Sequence, residues 1–214
     1  MFRQLLYKEW LSEWRNPYQI GGLISFLSGV SFLVYFFSGR PSLQIWNFMY
    51  WLIYLFLSLF AATRVYEDDQ SKYRIYNHTL YNPLHLFFAK VAYLTLLLWV
   101  LGLFLCLVLN VLAPLQNGWS LWWIPILGCI SLGFGTLSSF TSFLASHAAS
   151  KQMLMIVITL PLCFPLLGLS YAVSREFLSI APFEQILWKS LPLIAVDLFV
   201  LAFAMFLLPL SWKN

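Results

Sequence analysis

The sequence predicts an all-α integral membrane protein, one domain over residues 1–214. It reads as six transmembrane helices with an N-terminal amphipathic interfacial helix and a cytoplasmic coupling helix between spans 2 and 3. Three observations predict this. Of 214 residues, 61% are hydrophobic and 9% charged. A soluble domain carries roughly 25% charged residues, so too little polar surface remains to face water. The apolar residues also fall in six runs near the ~20 residues that a bilayer-spanning helix needs. Aromatic residues reach 19%, with ten Trp, a composition suited to anchoring at two membrane–water boundaries.

Residues 2–16 form the first element. In "FRQLLYKEWLSEWR" (2–15) Leu6, Tyr7, Trp10, Leu11 and Trp14 share one helical side, with Gln4, Lys8, Ser12 and Arg15 opposite. Such a helix lies in the interface with its Trp rings at headgroup depth. Asn16-Pro17 ends it. Glu9 and Glu13 and the lack of an A-x-A site argue against a cleaved signal, so the first span is expected to stay in the mature protein. The spans follow at 19–37, 46–63, 86–112, 121–146, 153–173 and 190–210. Gly39-Arg40-Pro41, Asn117-Gly118 and the polar stretch Ser174–Glu184 with Pro182 carry turn chemistry between them.

Six spans put both termini on one side. That side collects nine basic residues: Arg3, Lys8, Arg15, Arg64, Lys72, Arg74, Lys90, Lys151 and Lys213. The other has three, Arg40, Arg175 and Lys189. The positive-inside rule makes the nine cytoplasmic, and with them both termini.

Charge concentrates in one internal stretch. Residues 64–90, "RVYEDDQSKYRIYNHTLYNPLHLFFAK", hold seven of the chain's 12 basic and 8 acidic residues. Tyr66, Tyr73, Tyr76, Leu80 and Leu84 recur at helical spacing, Asp68, Ser71 and Lys72 point the other way, and Pro83 closes the segment. A solvated loop would explain the charges but not the tyrosines. Aromatics interleaved with charges are the composition of a protein-binding surface. Residues 64–85 are therefore expected to dock a partner through Tyr66, Asp68, Asp69, Lys72, Tyr73 and Arg74.

Other features exclude functions. There is no GxxxxGK[ST], so the chain cannot hold ATP by a P-loop and is not expected to be an enzyme by itself. The net charge of +4 is scattered over segment ends, which excludes a nucleic-acid partner. Cys106, Cys129 and Cys163 are solitary within apolar runs, as small packed residues. His78, His85 and His147 fall near cytoplasmic ends with no second His in the same span, so neither a metal site nor a haem ligand is expected. An intramembrane hydrolase using Ser138 or Ser139 with His147 would need groups about 12 Å or more apart to touch.

Within the membrane, Asp197 stands in the sixth span, where a carboxylate is costly and by default functional. Pro161 and Pro165 free backbone carbonyls in the fifth. These three are candidates for a pathway or gate, with helix packing as the competing reading. Gly128, Gly133, Gly135, Ser138, Ser139 and Ser142 make a surface for close helix approach. Trp119, Trp122 and Trp123 read as an outer aromatic belt.

Several of these residues carry a resemblance. "RVYEDD" (64–69), Lys90 opening the third span, "LGFGTLSSFTSFLAS" (132–146) and "ITLPLCFPLLGLS" (158–170) resemble the CcmB family, the haem exporter membrane proteins of cytochrome c maturation and type-2 ABC exporter permeases. The Leu-Pro-Leu-x-x-Pro-Leu-Leu pattern runs from Leu160 to Leu167. The chain departs from the family at Lys72-Tyr73-Arg74-Ile75, where Asp-Gly-Ser-Leu or similar is usual. The resemblance implies a permease subunit in the bacterial inner membrane, paired as a homodimer and driven by a cytoplasmic ABC ATPase subunit docked on the 64–85 segment. It further implies other cytochrome c maturation membrane proteins as partners. No cofactor is implied in this chain, and haem enters only as a transported or handled ligand of the complex. A type-2 ABC permease for a drug, lipid or polysaccharide is the alternative, and a purely structural scaffold is a further one.

Overall fold

A chain crossing hydrocarbon must satisfy every backbone polar group internally, and an apolar run of 20 residues or more does so as a helix. The computed structural model describes residues 17–39, 41–65, 83–114, 123–145, 151–179 and 182–212, and every regular element among them is a helix. In chain order these are α1 (Pro17–Ser38), α2 (Leu43–Val65), α3 (Pro83–Leu112), α4 (Trp123–Ala145), α5 (Lys151–Leu178) and α6 (Phe183–Trp212). All six are long and apolar enough to cross a membrane. The amphipathic helix expected at 2–16 and residues 66–82 of the coupling segment lie outside the described residues.

Local chemistry sets the ends. α1 stops at Gly39, whose φ of 62° lies in the left-handed region and whose N–H donates to the Tyr35 carbonyl at 3.0 Å. Only glycine adopts that conformation without strain, so Gly39→Ala should cost about 1 kcal/mol, read as a lower midpoint in detergent unfolding. The Ser42 carbonyl accepts the first bond of α2, from Trp46 N–H at 2.8 Å. Pro83 opens α3, a position where the missing N–H costs nothing.

Two boundaries differ from the sequence reading. α5 continues to Leu178 and α6 begins at Phe183, so most of the polar stretch 174–184 is helical. The reason is Ser174, which is fully buried and hydrogen-bonded inside the bundle. Its polarity marks an interior contact and not a loop. Ahead of α6, Gln185 N–H donates to the Pro182 carbonyl at 3.0 Å.

α4 is the axis of the bundle, packed against α2, α3, α5 and α6, while α1 leans on α2 and α3. Burial follows this arrangement: 67% of α4's span is buried, as is 67% of α2's, against 17% for α1 and 11% for α6. The small residues of α4 make its position possible. Gly133, Gly135, Ser138, Ser139 and Ser142 are all buried, so neighbouring helices approach its backbone closely.

Large aromatics fill the end of the bundle where α2 begins, α4 begins and α5 ends. Tyr50 and Trp51 pack edge to face at 5.0 Å between centroids, Tyr54 meets Phe134 at 5.3 Å, and Trp123 lies 5.2 Å from Phe177. Trp123 is thus a core residue, 3% exposed, and not part of an outer belt. It opens α4 where α2 and α5 converge, so its ring is enclosed by protein before it can reach headgroups. Trp119 and Trp122 lie outside the described residues.

Candidate functional site

An apolar bundle leaves few places for chemistry, and its buried polar side chains mark them. Asp197 is the acidic one. It lies midway along α6, about 21 Å from either end at 1.5 Å per residue, and is 7% exposed. Its carboxyl enters the notch that Gly133 leaves in α4. A Cβ built on Gly133 would overlap the Asp197 carboxyl oxygen and stand 2.9 Å from its Cγ and 3.1 Å from Leu166 Cδ1 of α5. The group therefore occupies the seam of α4, α5 and α6. Among the described residues its Oδ1 has no hydrogen-bond partner. Cys129, one turn before Gly133 on α4, is exposed.

Pro161 and Pro165 do not join this seam. The helix runs unbroken through both, and both are exposed, on the outer face of α5 with Val157 and Gly168. The face turned inward carries Met155, Thr159, Cys163, Leu166, Ser170 and Ser174. Proline lacks an N–H, so the carbonyls of Val157 and Pro161 lose their intrahelical donors on the outward side. The three residues singled out in the sequence thus lie in two places: a carboxyl inside the bundle and two prolines facing away from it.

Two further polar clusters join the helices. Near the α1–α2 end, Trp51 Nε1 donates to Ser174 Oγ at 2.7 Å, Ser174 Oγ lies 2.7 Å from Asn47 Oδ1, and Asn47 Nδ2 donates to the Tyr171 carbonyl at 3.2 Å. This ties α2 to the last turns of α5. The signal available was Asn47 itself, an amide within an apolar run. Toward the opposite end, Thr159 Oγ1 lies 2.6 Å from Thr141 Oγ1, and Ser142 Oγ donates to the Ala62 carbonyl at 3.3 Å, joining α2, α4 and α5. Near the junction of α5 and α6, Lys189 of α6 pairs with Glu176 of α5. Lys90, counted among the cytoplasmic-side cations, is buried, 2% exposed.

The proposed docking residues Tyr66, Asp68, Asp69, Lys72, Tyr73 and Arg74 lie outside the described residues, as do His78 and His147. His85 is exposed in the first turn of α3. Among the described residues no group of three His, Cys, Asp or Glu could hold a metal ion.

Fold and site together define a multi-pass membrane protein: among the described residues, six membrane-compatible helices of which the small-residue helix α4 is the centre, with the Asp197 carboxyl buried in the seam of α4, α5 and α6. No protein-family model matches the chain, and no curated protein matches it at a significant level.

Proposed function

We propose that this chain is the membrane-spanning permease subunit of an ATP-driven ABC transporter, similar to the haem exporter permease of cytochrome c maturation. The observation that carries the reading is the order of elements. A Tyr- and Asp-rich charged segment interrupts a six-helix membrane body between its second and third helices. Its interleaved tyrosines and charges suit a protein partner in the water, and the chain has no P-loop with which to bind nucleotide itself. ATP hydrolysis then belongs to a separate cytoplasmic subunit, and the termini share its side of the bacterial inner membrane.

The outward face of α5 supports a second copy in the assembly. Pro161 and Pro165 leave two carbonyls without intrahelical donors there, and Gly168 has nothing within 4 Å of an added Cβ. Lipid tails cannot satisfy such carbonyls, whereas a helix packed against them can. A homodimer is the simplest symmetric solution.

The test is reversal of Asp68 and Asp69 to Lys. Like charges would then face the basic groups of the ATPase, at a cost of several kcal/mol if the contact is desolvated. The chain should still insert, because its spans are untouched. The ATPase should be lost from the membrane fraction and cytochrome c maturation should fail. Unchanged recruitment and maturation would reduce the segment to a solvated loop and remove the coupling role.

A further inference from the structure

A groove of about 710 Å³ runs along the outside of the bundle, walled by α3, floored by α4 and edged by Leu201 of α6. On α3 it follows one face from His85 through Phe88, Ala92 and Leu96 to Trp99. The 14 helical rises from His85 to Trp99 span about 21 Å. Hydrocarbon of one leaflet is about 15 Å deep, so the groove accepts the full depth of a leaflet and reaches past the midplane. Small residues keep it open. A Cβ at Gly128 would meet only the Trp99 indole, at 3.6 Å.

The polar atoms on its walls are either used or turned away. Trp99 Nε1 donates to the Ile124 carbonyl at 3.0 Å, and Ser131 Oγ donates to the Gly128 carbonyl at 2.8 Å. The Thr95 hydroxyl is buried and turned toward the α4 backbone, 2.6 Å from where a Gly135 Cβ would stand. A preformed groove with no accessible, unused hydrogen-bonding group between its ends suits a saturated chain and offers nothing to a polar ligand. The volume divided by the length gives a mean cross-section of about 34 Å², slender enough for one extended chain. The groove is continuous with lipid-facing surface, since Leu96, Val100 and Leu132 beside it are exposed. The polar lining residue left over is His85, exposed at the membrane-face end.

We propose that this groove seats one acyl chain of a membrane phospholipid, with the headgroup at His85, held as a bound lipid distinct from the exchanging lipid around the bundle. His85 hydrogen-bonds the phosphate or ester, and Phe88, Leu96 and Trp99 enclose the chain. The assignment goes beyond the transporter reading and does not depend on it.

The experiment uses the full chain in nanodiscs of phosphatidylethanolamine and phosphatidylglycerol, doped with phosphatidylethanolamine carrying a diazirine in one acyl chain. After irradiation, adducts are mapped by peptide mass spectrometry. The result expected is a several-fold excess of adducts on 88–99 and 128–132 over the exposed α6 face around Phe199 and Phe203. Gly128→Leu and Ala92→Phe, which fill the groove from opposite walls, should each remove that excess while leaving α6 adducts unchanged. Adducts spread evenly, or an excess that survives both fillings, would mean annular lipid only and overturn the proposal. Excess haemin tests cargo in place of lipid: unchanged groove adducts support the lipid, and their selective loss assigns the groove to the cargo. Should a filled variant fail to fold, the wild-type adduct map and the haemin arm still decide.

Discussion

Gly133→Val should loosen the bundle by overpacking the seam of α4, α5 and α6. The added Cβ would overlap the Asp197 carboxyl and press on Leu166 Cδ1 at 3.1 Å. Neither neighbour has a simple escape. Asp197 is fixed to the middle of α6, and Leu166 is 1% exposed on α5. Overpacking of this kind costs about 1–3 kcal/mol, and a chain of this size then loses ~2–12 °C in melting temperature. Thermal unfolding in detergent would measure it. The partner of the clash can be identified by a second variant. If the obstacle is the carboxyl, Asp197→Ala should relieve much of the penalty of Gly133→Ala, giving a double variant more stable than the sum of its parts. Strict additivity would place the obstacle elsewhere.

The same cycle separates structure from function at Asp197. A carboxylate at the centre of a membrane helix costs about 2.5–3.5 kcal/mol on insertion scales, so Asp197→Ala by itself should leave stability near or above the parent level. A fold that is intact in that variant, combined with loss of transport in the assembled complex, would mark Asp197 as a working group. Retained transport would leave it as a packed residue in the α4–α5–α6 seam.

Ser174→Ala is the second large effect expected. One hydroxyl serves both Trp51 Nε1 and Asn47 Oδ1, each at 2.7 Å. Its removal leaves a buried indole N–H and a buried amide oxygen without that contact, and orphaned buried groups cost about 1–3 kcal/mol each in water-soluble proteins. Hydrogen bonds inside membranes average nearer 0.6 kcal/mol because the unfolded helices also find partners. A total of about 1–3 kcal/mol is expected, read as a lower unfolding midpoint together with a change in tryptophan fluorescence, since Trp51 is buried. Ser174→Thr, which keeps the hydroxyl, should recover most of the loss. Equal destabilisation by both would mean that volume, and not the hydrogen bond, matters at this position.

Composition and apolar run length were enough to determine a multi-pass membrane protein with six membrane-compatible helices among the described residues. Bilayer thickness fixes helix length directly, and backbone satisfaction in hydrocarbon allows no other solution for such runs. Gly39 and Pro182 likewise mark breaks through their own backbone restrictions, which need no tertiary context. The intramembrane carboxyl of Asp197 was visible for the same reason: charge in an apolar run is conspicuous anywhere along a chain.

Tertiary structure alone decided what each of these groups meets. That Asp197 enters the notch at Gly133, 64 residues away in sequence, depends on how α4 and α6 cross. That Pro161 and Pro165 face outward depends on which side of α5 packs. An apolar run in a membrane protein has little amphipathic contrast to read, because lipid and protein interior are equally apolar, so the buried side of a helix cannot be told from its outer side by hydrophobicity. Ser174 was legible as polar but not as interior, and Trp123 as aromatic but not as core. In both cases the contact that satisfies the side chain comes from a helix far away in sequence.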